Sequence, residues 1–367
     1  MKVLHYKTNF LNPSETFIDR LIRNHRLFEP YAMCISKRHF CDHLKVFQQP
    51  KKGWRGLINT TYFHLNFSLP FYKKVVKQLR PDIIHAHFGF DGFRMYRVAK
   101  ATNTPLIVSF YGSDVSRLPT ELGWKRRYKK LSRNAQAFVA ASDLMKKQLI
   151  DLGFPEEKIF VIRFGINIDN FCFNHDYPSD PKLLMVGRMV EKKGFKYALQ
   201  AIEILKNNNK TVEIDLLGDG PLREELHKIT DQLGLTEQVH FRGYVSNEKV
   251  CDALQTHSIL LAPSVTASDG DKEGLPNTVL EAMASGLPVI ASDHAAISEA
   301  IINKKTGFLV SERSPHEIAS AINTILNNSS TIEPVRQRAR RLIEQEYSVT
   351  KLVGSYEDLY IKVIENR

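Results

Sequence analysis

The sequence predicts an α/β protein built from two doubly wound domains, each with a parallel β-sheet covered by helices on both faces. The chain has 367 residues, and a single hydrophobic core is rarely built from so long a chain, so two domains are expected. Short apolar runs alternate with longer amphipathic stretches, the pattern of a buried parallel sheet. A polar, irregular stretch at 167–181 interrupts this alternation, which then starts again, so we place a domain boundary there.

The first half of the chain alternates between predicted strands and predicted helices. Apolar runs predict strands at 3–6, 31–35, 83–86, 106–109, 137–140 and 159–161. Amphipathic stretches predict helices at 15–26, 69–79, 92–101, 121–132 and 143–152. Ser14 and Ser142 directly precede two of these helices, and serine is a favoured N-cap residue. We assign residues 1–170 to the first domain.

The second half repeats the same alternation. Strands are predicted at 183–186, 213–217, 239–241, 259–262, 289–291 and 308–310. Helices are predicted at 195–206, 222–233, 247–254, 278–284, 315–327, 332–346 and 351–364. We assign residues 171–346 to the second domain. Ligands of such sheets bind beyond the carboxyl ends of the strands, so we expect functional residues in the loops that follow the strands.

The composition is that of a soluble globular protein, with 43% hydrophobic and 25% charged residues. No run approaches the roughly 18 apolar residues of a membrane-spanning helix, and the N-terminus lacks the apolar core of a signal peptide. The cysteines are scattered without the spacing of a metal site, as expected of free thiols in a reducing compartment. We therefore expect a cytoplasmic protein.

Positive charge is concentrated in the first half. Residues 1–170 contain 29 Lys and Arg against 13 Asp and Glu, whereas residues 171–367 contain 22 against 27. A basic domain attracts an anionic partner, here a membrane surface or a lipid-linked substrate. Nucleic acid is disfavoured, because no known binding module is present. The alternative is that lysine-rich helices only keep the protein soluble.

The segment 271–288, DKEGLPNTVLEAMASGLP, is the most informative part of the chain. Glu273 and Glu281 stand eight positions apart across a predicted loop-to-helix junction, and Pro276 suits the first position of that helix. N–H groups at a helix start stabilise phosphate, and a carboxylate on each side can accept sugar hydroxyls. The segment favours a sugar-nucleotide site, although an ordinary loop and helix would show the same spacing. Its other candidate residues are Gly274, Leu275, Asn277 and Thr278.

A second candidate follows the first strand of the second half. Gly187, Arg188 and Lys193 combine a glycine turn with two cations that can clamp a diphosphate, and solvated surface charges are the alternative. The turn at 218–220 is interpreted as plain turn chemistry. The string at 269–271 fits a manganese-binding Asp-x-Asp pattern, but its fold context differs, so we predict no metal there.

Together these strings resemble the signature of the retaining glycosyltransferases of family 4. The Glu-x7-Glu segment has the family's Glu-Gly-x-Pro start and Glu-Ala-Met-Ala-x-Gly-x-Pro-Val end, and the Gly-Arg…Lys-Gly string precedes it as in relatives. The resemblance covers nearly the full length. It implies the GT-B fold, in which two Rossmann-like domains face a cleft and the C-terminal helix, here 347–367, crosses back to pack on the first domain.

The resemblance also implies roles for individual residues. Arg188 and Lys193 would hold the donor diphosphate and stabilise it as it leaves, in place of a metal. Glu273 would orient the donor sugar, Glu281 would hold the ribose hydroxyls, and Val245 lies in the segment that lines the base pocket in relatives. The expected substrate is a nucleoside-diphosphate sugar, with neither metal nor cofactor.

Candidate residues of the acceptor side follow predicted strands of the first half. Family 4 enzymes commonly have His-Gly-x-Asp where this chain has Tyr111, Gly112 and Asp114, and that histidine touches the donor sugar. Tyrosine donates a hydrogen bond but is a poor base near neutral pH, so we expect Tyr111 to position a substrate. Asp114 is a candidate for holding a sugar hydroxyl. The other candidates are Ser14, Glu15, His87 and Gly89.

Several of these residues also fit purely structural roles. Ser14 and Glu15 suit a helix cap at least as well as a ligand contact. His85 and His87 alternate on one strand face, and no third ligand follows them, so we do not predict zinc. A hydrogen-bonded structural histidine is the default for both, and a place in the cleft is the alternative for His87.

Two stretches, 54–77 and 124–130, combine aromatic residues with cations. Such surfaces can rest on an anionic membrane, with rings at the headgroup level and cations on phosphates. The alternative is that the rings pack inward while the cations stay in water.

The sequence therefore predicts a retaining, metal-independent hexosyltransferase. It would move a sugar from a nucleoside-diphosphate sugar, UDP-sugar favoured, to a glycan or polyprenyl-diphosphate-linked acceptor in bacterial capsule, exopolysaccharide or O-antigen synthesis. We expect it in the cytoplasm, peripheral on the inner face of the cell membrane. The alternatives are a nucleotide-sugar 2-epimerase of the same fold and, because of Tyr111, a sugar-nucleotide-binding protein without catalysis.

Overall fold

The structure, a computed structural model, describes residues 1–10, 15–37, 44–50, 70–174 and 181–366, with the side chains of 329–331 left aside. The chain divides into two compact units, Met1–Gly165 with Val349–Arg367, and Ile166–Ser348. These breaks lie close to the predicted ones at 170 and 346. Each unit has its own sheet and its own hydrophobic core.

The first unit contains a seven-stranded parallel sheet, with a separate two-stranded parallel pair. Its strands are β1 (Lys2–Tyr6), β2 (Asn9–Phe10), β3 (Glu29–Cys34), β4 (Ser36–Lys37), β5 (Lys45–Gln48), β6 (Ile83–His87), β7 (Leu106–Phe110), β8 (Ala137–Ala140) and β9 (Ile159–Val161). The large sheet has the order β5-β3-β1-β6-β7-β8-β9, and β2 pairs with β4. The order reverses between β1 and β6, where the chain changes the side on which strands are added.

Helices cover this sheet as the apolar periodicity predicts. They are α1 (Thr16–Arg23), α2 (Pro70–Leu79), α3 (Gly89–Thr102), α4 (Ser113–Ser116), α5 (Trp124–Asn134) and α6 (Asp143–Asp151). Ser142 caps α6 as predicted, because its hydroxyl accepts the N–H of Met145 at 3.1 Å. At α1 the N-cap position is taken by Glu15, and the predicted cap, Ser14, lies outside the described residues.

The second unit contains a six-stranded parallel sheet of order β12-β11-β10-β13-β14-β15. Its strands are β10 (Lys182–Val186), β11 (Glu213–Leu217), β12 (Val239–Gly243), β13 (Ile259–Ala262), β14 (Val289–Ser292) and β15 (Phe308–Val310). Its helices are α7 (Phe195–Asn207), α8 (Arg223–Gln232), α9 (Asn247–Thr256), α10 (Asn277–Ser285), α11 (Ile297–Ala300), α12 (Pro315–Asn327) and α13 (Ser329–Glu346). This strand order is that of the doubly wound nucleotide-binding fold.

The last helix, α14 (Val349–Glu365), belongs to the first unit. Tyr356 and Tyr360 of this helix pack with Val3 and Ile83 of the first sheet in one buried cluster. Tyr347, which precedes the helix, packs in the second unit instead. The chain therefore returns to its first unit at the end, as the family resemblance implies.

The elements that the sequence did not predict are short or lie at an edge. β5 is an edge strand whose residues are exposed or half-buried, so it lacks the apolar run that marks a buried strand. β2 and β4 have two residues each and α4 and α11 four each, too few for any periodicity to show. The strands at the centre of each sheet agree with prediction because burial on both faces imposes a continuous apolar run.

No helix in the described part of the chain is both long enough and apolar enough to cross a bilayer. Cys34, Cys172 and Cys251 are free thiols, and Cys41 lies outside the described residues.

The loop after β10 packs directly on the chain that leaves β13. Gly194 has a φ of +70°, and a Cβ built on it would lie 1.8 Å from the carbonyl oxygen of Pro263. Only glycine fits there, because any side chain would separate the two loops.

We expect Gly194→Ala to lower the free energy of unfolding by about 3 kcal/mol, since it adds a backbone clash to a left-handed conformation. The matched control is Gly153→Ala, which has a φ of +86° but no atom within 4 Å of the new Cβ. It should cost only about 1 kcal/mol, the left-handed penalty alone. Urea unfolding of both variants measures the difference, and equal losses would show that the close approach is not rigid.

Candidate active site

The strand order of the second sheet reverses between β10 and β13, and the loops 187–194 and 263–276 follow these two strands. A crevice at the carboxyl ends of the strands forms at such a reversal and is the usual ligand site of the fold. The two loops are held together, since the N–H of Val265 donates to the carbonyl of Lys192 at 2.9 Å. Most of the predicted donor residues lie on these loops.

The two loops bring Glu273 and Lys193 together. Glu273 Oε2 lies 3.2 Å from Lys193 Nζ and 3.9 Å from Lys192 Nζ, and the Glu273 and Lys193 side chains are 16% and 18% exposed. Lys192 also pairs with Asp271 at 3.0 Å. Glu273 Oε2 is buried and makes no hydrogen bond in the described structure, so the contact with Lys193 is Coulombic.

Gly187 and Arg188 begin the same loop. A Cβ on Gly187 would lie 3.3 Å from Cε of Lys193, so the lysine side chain runs directly over the glycine. Arg188 is exposed and forms no ion pair with any residue that the structure describes. The turn at 218–220 is hydrogen-bonded to this loop, because the carbonyl of Asp219 accepts the N–H of Met189 at 3.0 Å.

Helix α10 begins at Asn277, and its first N–H groups have no partner within the helix. The predicted position of Pro276 is wrong by one residue. Pro276 is the N-cap, with an extended ψ of 135°, and its carbonyl accepts the N–H of Val279 at 3.1 Å. Asn277 and Thr278 therefore form the start of the helix, next to the exposed Gly274.

Two arginines of α13 bind the opposite end of α10. Arg340 Nη1 donates to the carbonyl of Ala284 at 2.7 Å, and Arg336 Nε donates to the carbonyl of Gly286 at 2.6 Å. Arg336 is only 3% exposed. These cations stabilise the negative end of the helix dipole, while the positive end remains available to an anion.

The remaining donor candidates lie around the same helix. Glu281 is a partly buried residue of α10, and its charge adds to burial in raising the pKa of the Cys251 thiol on α9. Val245 follows β12 and packs with Leu275 in one apolar cluster. The contacts that these residues would make with a ligand stay a prediction.

Sequence reasoning missed two residues that hold Glu273. His294, after β14, is 3% exposed, and its Nδ1 donates to Oε1 of Glu312 at 2.6 Å. Its Nε2 is thereby left to accept the N–H of Glu273, at 3.2 Å. Burial raises the pKa of Glu312, but hydrogen bonds from His294 and the Thr266 N–H outweigh it, so the pKa lies below its usual value. The position of His294 at a strand end was the available signal.

In the first unit, Asp114 is 1% exposed, and backbone groups occupy both of its oxygens. Oδ1 accepts the N–H groups of Tyr111 and Gly112 at 3.1 and 2.9 Å, and Oδ2 accepts the N–H of Gly89 at 2.9 Å. Burial raises the pKa of this carboxyl although the three donors oppose the effect. Its geometry is that of a residue that holds two loops in place, and its predicted contact with a sugar hydroxyl stays a prediction.

Of the other acceptor-side candidates, Glu15 is the N-cap of α1, and the rest that the structure describes follow or end β6 and β7. His87 is fully buried, so its default structural role agrees with the structure better than a place in a cleft. Its Nδ1 lies 2.7 Å from the hydroxyl of Tyr111, which is itself half-buried. Glu15 pairs with Lys7 at 3.0 Å, with both side chains largely buried.

In the described parts of the two basic stretches the aromatic residues pack inward, which agrees with the second of the two alternatives, rings inside and cations in water. Trp124 stacks edge-on against Phe93 and Tyr128, and Tyr128 is fully buried. Tyr72 is 1% exposed, and residues 51–69 lie outside the described part of the chain. The exposed residues of α5 are the cations Lys125, Arg126, Lys129, Lys130 and Arg133.

Comparisons with known proteins agree with this geometry. Residues 170–347 match the family described as Glycosyl transferases group 1, and residues 39–170 match Glycosyltransferase Family 4. The chain is 33% identical to the amylovoran biosynthesis glycosyltransferase AmsK of Erwinia amylovora, over 74% of this chain and 68% of that protein. It is 30% identical to the putative colanic acid biosynthesis glycosyltransferase WcaL of Escherichia coli (strain K12), over 75% and 69%.

Solved structures share the fold at low identity. The complex of Anabaena Alr3699/HepE with UDP superposes with a TM-score of 0.82 at 18% identity, over 99% of this chain and 100% of that chain. A glycosyltransferase from Rickettsia africae ESF-5 superposes with a TM-score of 0.80 at 18% identity, over 100% and 99%. These likenesses show the GT-B fold. With family matches in both halves and relatives at 30% identity or more, the chain belongs to glycosyltransferase family 4 and is a glycosyltransferase.

Proposed function

We propose that this protein is a retaining, metal-independent hexosyltransferase that transfers a sugar from a nucleoside-diphosphate sugar, with UDP-sugar favoured. The observation that carries the proposal is the Glu273–Lys193 pair, 3.2 Å apart, beside the start of α10 at the reversal point of the second sheet. A carboxylate, cations and free helix N–H groups within one crevice match a sugar joined to a diphosphate.

The cations and the helix start bind the diphosphate. Lys193 and the exposed Arg188 place positive charge at the loop after β10, and the N–H groups of Asn277 and Thr278 add the helix dipole. As the bond between sugar and diphosphate breaks, negative charge grows on the leaving group, and these fixed positive groups stabilise it. The Glu273 carboxylate accepts a sugar hydroxyl and thereby orients the ring, and Glu281 accepts hydroxyls of the ribose.

Retention of configuration follows if the acceptor attacks from the face that the diphosphate leaves. In that route a diphosphate oxygen takes the acceptor's proton, so no protein base is needed close to the reacting carbon. The route agrees with the buried, backbone-bonded state of Asp114, because such a carboxylate is poorly placed to act as a base.

Metal independence is supported by the charges already present in the crevice. Asp271, the second carboxylate of the Asp-x-Asp string, pairs with Lys192 at 3.0 Å, and Oδ1 of Asp269 accepts the N–H of Asp271 at 2.9 Å. Lys193, Arg188 and the start of α10 supply the positive charge that a divalent cation would supply elsewhere.

The acceptor is proposed to be a glycan or a polyprenyl-diphosphate-linked saccharide in the synthesis of a bacterial surface polysaccharide such as capsule, exopolysaccharide or O-antigen. Support comes from the basic first half and from relatives named for amylovoran and colanic acid biosynthesis. A UDP donor is supported by the Anabaena protein, which was crystallised with UDP and with UDP-glucose. A lipid-linked acceptor places the protein on the inner face of the cell membrane.

The proposal is tested by donor turnover. UDP-, GDP- and ADP-sugars are incubated with the protein and a lipid-linked acceptor, with and without EDTA, and release of the nucleotide is measured. We expect one base to be preferred, EDTA to have no effect, and Glu273→Gln to lower kcat about tenfold, because the amide still accepts the hydroxyl but lacks the charge that strengthens this hydrogen bond. The control is Glu225→Gln, an exposed carboxylate on α8.

Nucleotide binding is measured on the same variants by thermal shift. At about 100 Kd a nucleotide should stabilise the protein by roughly 2.7 kcal/mol, and Glu273→Gln should retain this effect because the base and phosphates are bound elsewhere. Binding without turnover of any donor would instead favour the sugar-nucleotide-binding protein without catalysis. Stabilisation by none of the nucleotides would contradict the donor site.

We expect His294→Ala to impair catalysis without a direct ligand contact. The variant removes the acceptor of the Glu273 N–H, and a displacement of about 1 Å can cost up to roughly 100-fold in rate. The matched control is His316→Ala, an exposed histidine of the same unit. Initial rates at saturating donor measure the effect, and equal activity of both variants would show that His294 does not position Glu273.

A basic surface on α5 is expected to bind anionic membranes. The charge reversals Lys125→Glu and Lys129→Glu should abolish sedimentation with vesicles that contain phosphatidylglycerol, because each cation near such a surface contributes about 1 kcal/mol. Lys147→Glu, on the neighbouring helix α6, is the control. Equal sedimentation of all three variants would place the membrane contact elsewhere or nowhere.

A further inference from the structure

A cluster of histidines fills the interior of the first unit where its strand order reverses. His5 on β1 and His85 on β6 are register partners, and His87 lies two residues further along β6. All three are 0% exposed, and each offers a ring nitrogen within 4.8 Å of the others. His25, which follows α1, stacks on His5 with ring centroids 5.3 Å apart.

The spacing would suit a metal ion, but the ring nitrogens are already in use. His85 has the hydroxyl of Tyr360 at 2.6 Å from Nδ1 and that of Ser109 at 2.7 Å from Nε2. His5 Nδ1 lies 3.0 Å from His87 Nε2, and its Nε2 lies 3.1 Å from His25 Nε2. The cluster is therefore a filled hydrogen-bond network, and a cation would have to break it.

One end of the network sets the direction of its hydrogen bonds. Glu357, on α14, lies 3.3 Å from Nδ1 of His25, and its Oε1 also accepts the N–H groups of Arg26 and Leu27 at 2.8 Å each. Burial alone would raise the pKa of Glu357. The two backbone donors and His25 lower it by more, so the pKa lies below its usual value and the carboxylate is ionised. An ionised carboxylate only accepts hydrogen bonds, and Nδ1 of His25 must carry the proton.

The proton on His25 Nδ1 then fixes which nitrogen donates in each of the following hydrogen bonds. Burial lowers the pKa of His25, His5 and His87, so each ring is neutral and holds one proton. A neutral imidazole that donates from one nitrogen accepts at the other. His5 must donate to His25, His87 must donate to His5, and Nδ1 of His87 is left to accept from Tyr111, whose hydroxyl is 2.7 Å away.

We propose that Glu357 is a positioning residue for Tyr111 and acts through the hydrogen-bonded histidines His25, His5 and His87. These bonds make the Tyr111 hydroxyl donate to His87 in the interior of the unit. The ring of Tyr111 is then left to line the acceptor side. This inference rests on the proposed function only for its catalytic consequence. Burial raises the pKa of the Tyr111 hydroxyl well above its usual value, so the hydroxyl keeps its proton and can donate it.

The position of the ring supports this assignment. The Tyr111 ring lies 4.7 Å from Phe17, 4.9 Å from Phe88 and 5.9 Å from Phe164, measured between centroids, and all four residues are half-buried. They form an aromatic surface at the carboxyl ends of β6 and β7. With its hydroxyl bound inside, Tyr111 contributes an apolar face of fixed orientation to this surface.

The direction of these hydrogen bonds is tested without substrate by NMR of the full-length protein labelled with ¹⁵N-histidine. At neutral pH we expect the Nδ1–H tautomer for His25 and the Nε2–H tautomer for His5 and His87. Scalar couplings across the two N–H···N bonds should join His87 to His5 and His5 to His25. An Nδ1–H tautomer at His87, or the absence of both couplings, would overturn the inference whatever the enzyme transfers.

Variants of Glu357 test the catalytic consequence. Glu357→Gln keeps an accepting oxygen and should retain the tautomers and the turnover, whereas Glu357→Leu should lose the His87 tautomer and about tenfold in kcat/KM, within what a small displacement can cost. In a Tyr111→Phe background the same leucine substitution should change kcat/KM less than about twofold. The control is Asp358→Leu, an exposed position of α14.

Equal effects of Glu357→Leu in both backgrounds would overturn the link to Tyr111. If Glu357→Leu does not fold, the tautomers of the unaltered protein still decide the direction of the chain. If the tautomers are as expected and no donor is turned over, the proposed function fails, whereas the directed hydrogen bonds from Tyr111 to Glu357 are confirmed.

Discussion

The ion pair between Glu273 and Lys193 joins the two loops that carry the proposed donor site. These loops leave neighbouring strands at the point where the sheet order reverses, so residues eighty positions apart converge without any distortion of strand or helix. The contact of Gly194 with Pro263 sets the spacing of the loops, and His294 fixes the backbone of Glu273 from a third strand. The arrangement holds a carboxylate and a cation at one side of the crevice before any ligand arrives.

The orientation of α10 is fixed at its C-terminal end, where two arginines bind the last carbonyls. Arg336 and Arg340 each donate to carbonyls at the end of this helix, and both also donate to backbone carbonyls of the segment before β10. Removing a buried arginine's partners would be costly, so helix α13, the preceding segment and α10 hold one another in place. The start of α10 is therefore held in a fixed orientation.

Polar residues in the first unit mainly hold the unit together. Asp114 binds the backbone of two loops, and the histidines of β1 and β6 bind one another and α14. The sequence could not show this, because an aspartate after a strand looks the same whether it faces a ligand or a backbone N–H. For this reason the sequence left two readings open for His87 and for the rings of 124–130, and burial favours the structural one in both cases.

Local pattern was enough to determine the α/β class, the central strands of both sheets, most helices and the family, since burial on two faces and the Glu-x7-Glu string leave their mark on adjacent residues. Only the tertiary structure decided which polar groups meet. His5 reaches His87 through the pairing of β1 with β6, and His294 reaches Glu273 from another strand. Such partners are set by sheet order and register, which act between residues far apart in the chain and leave no local pattern by which the sequence alone could reveal them.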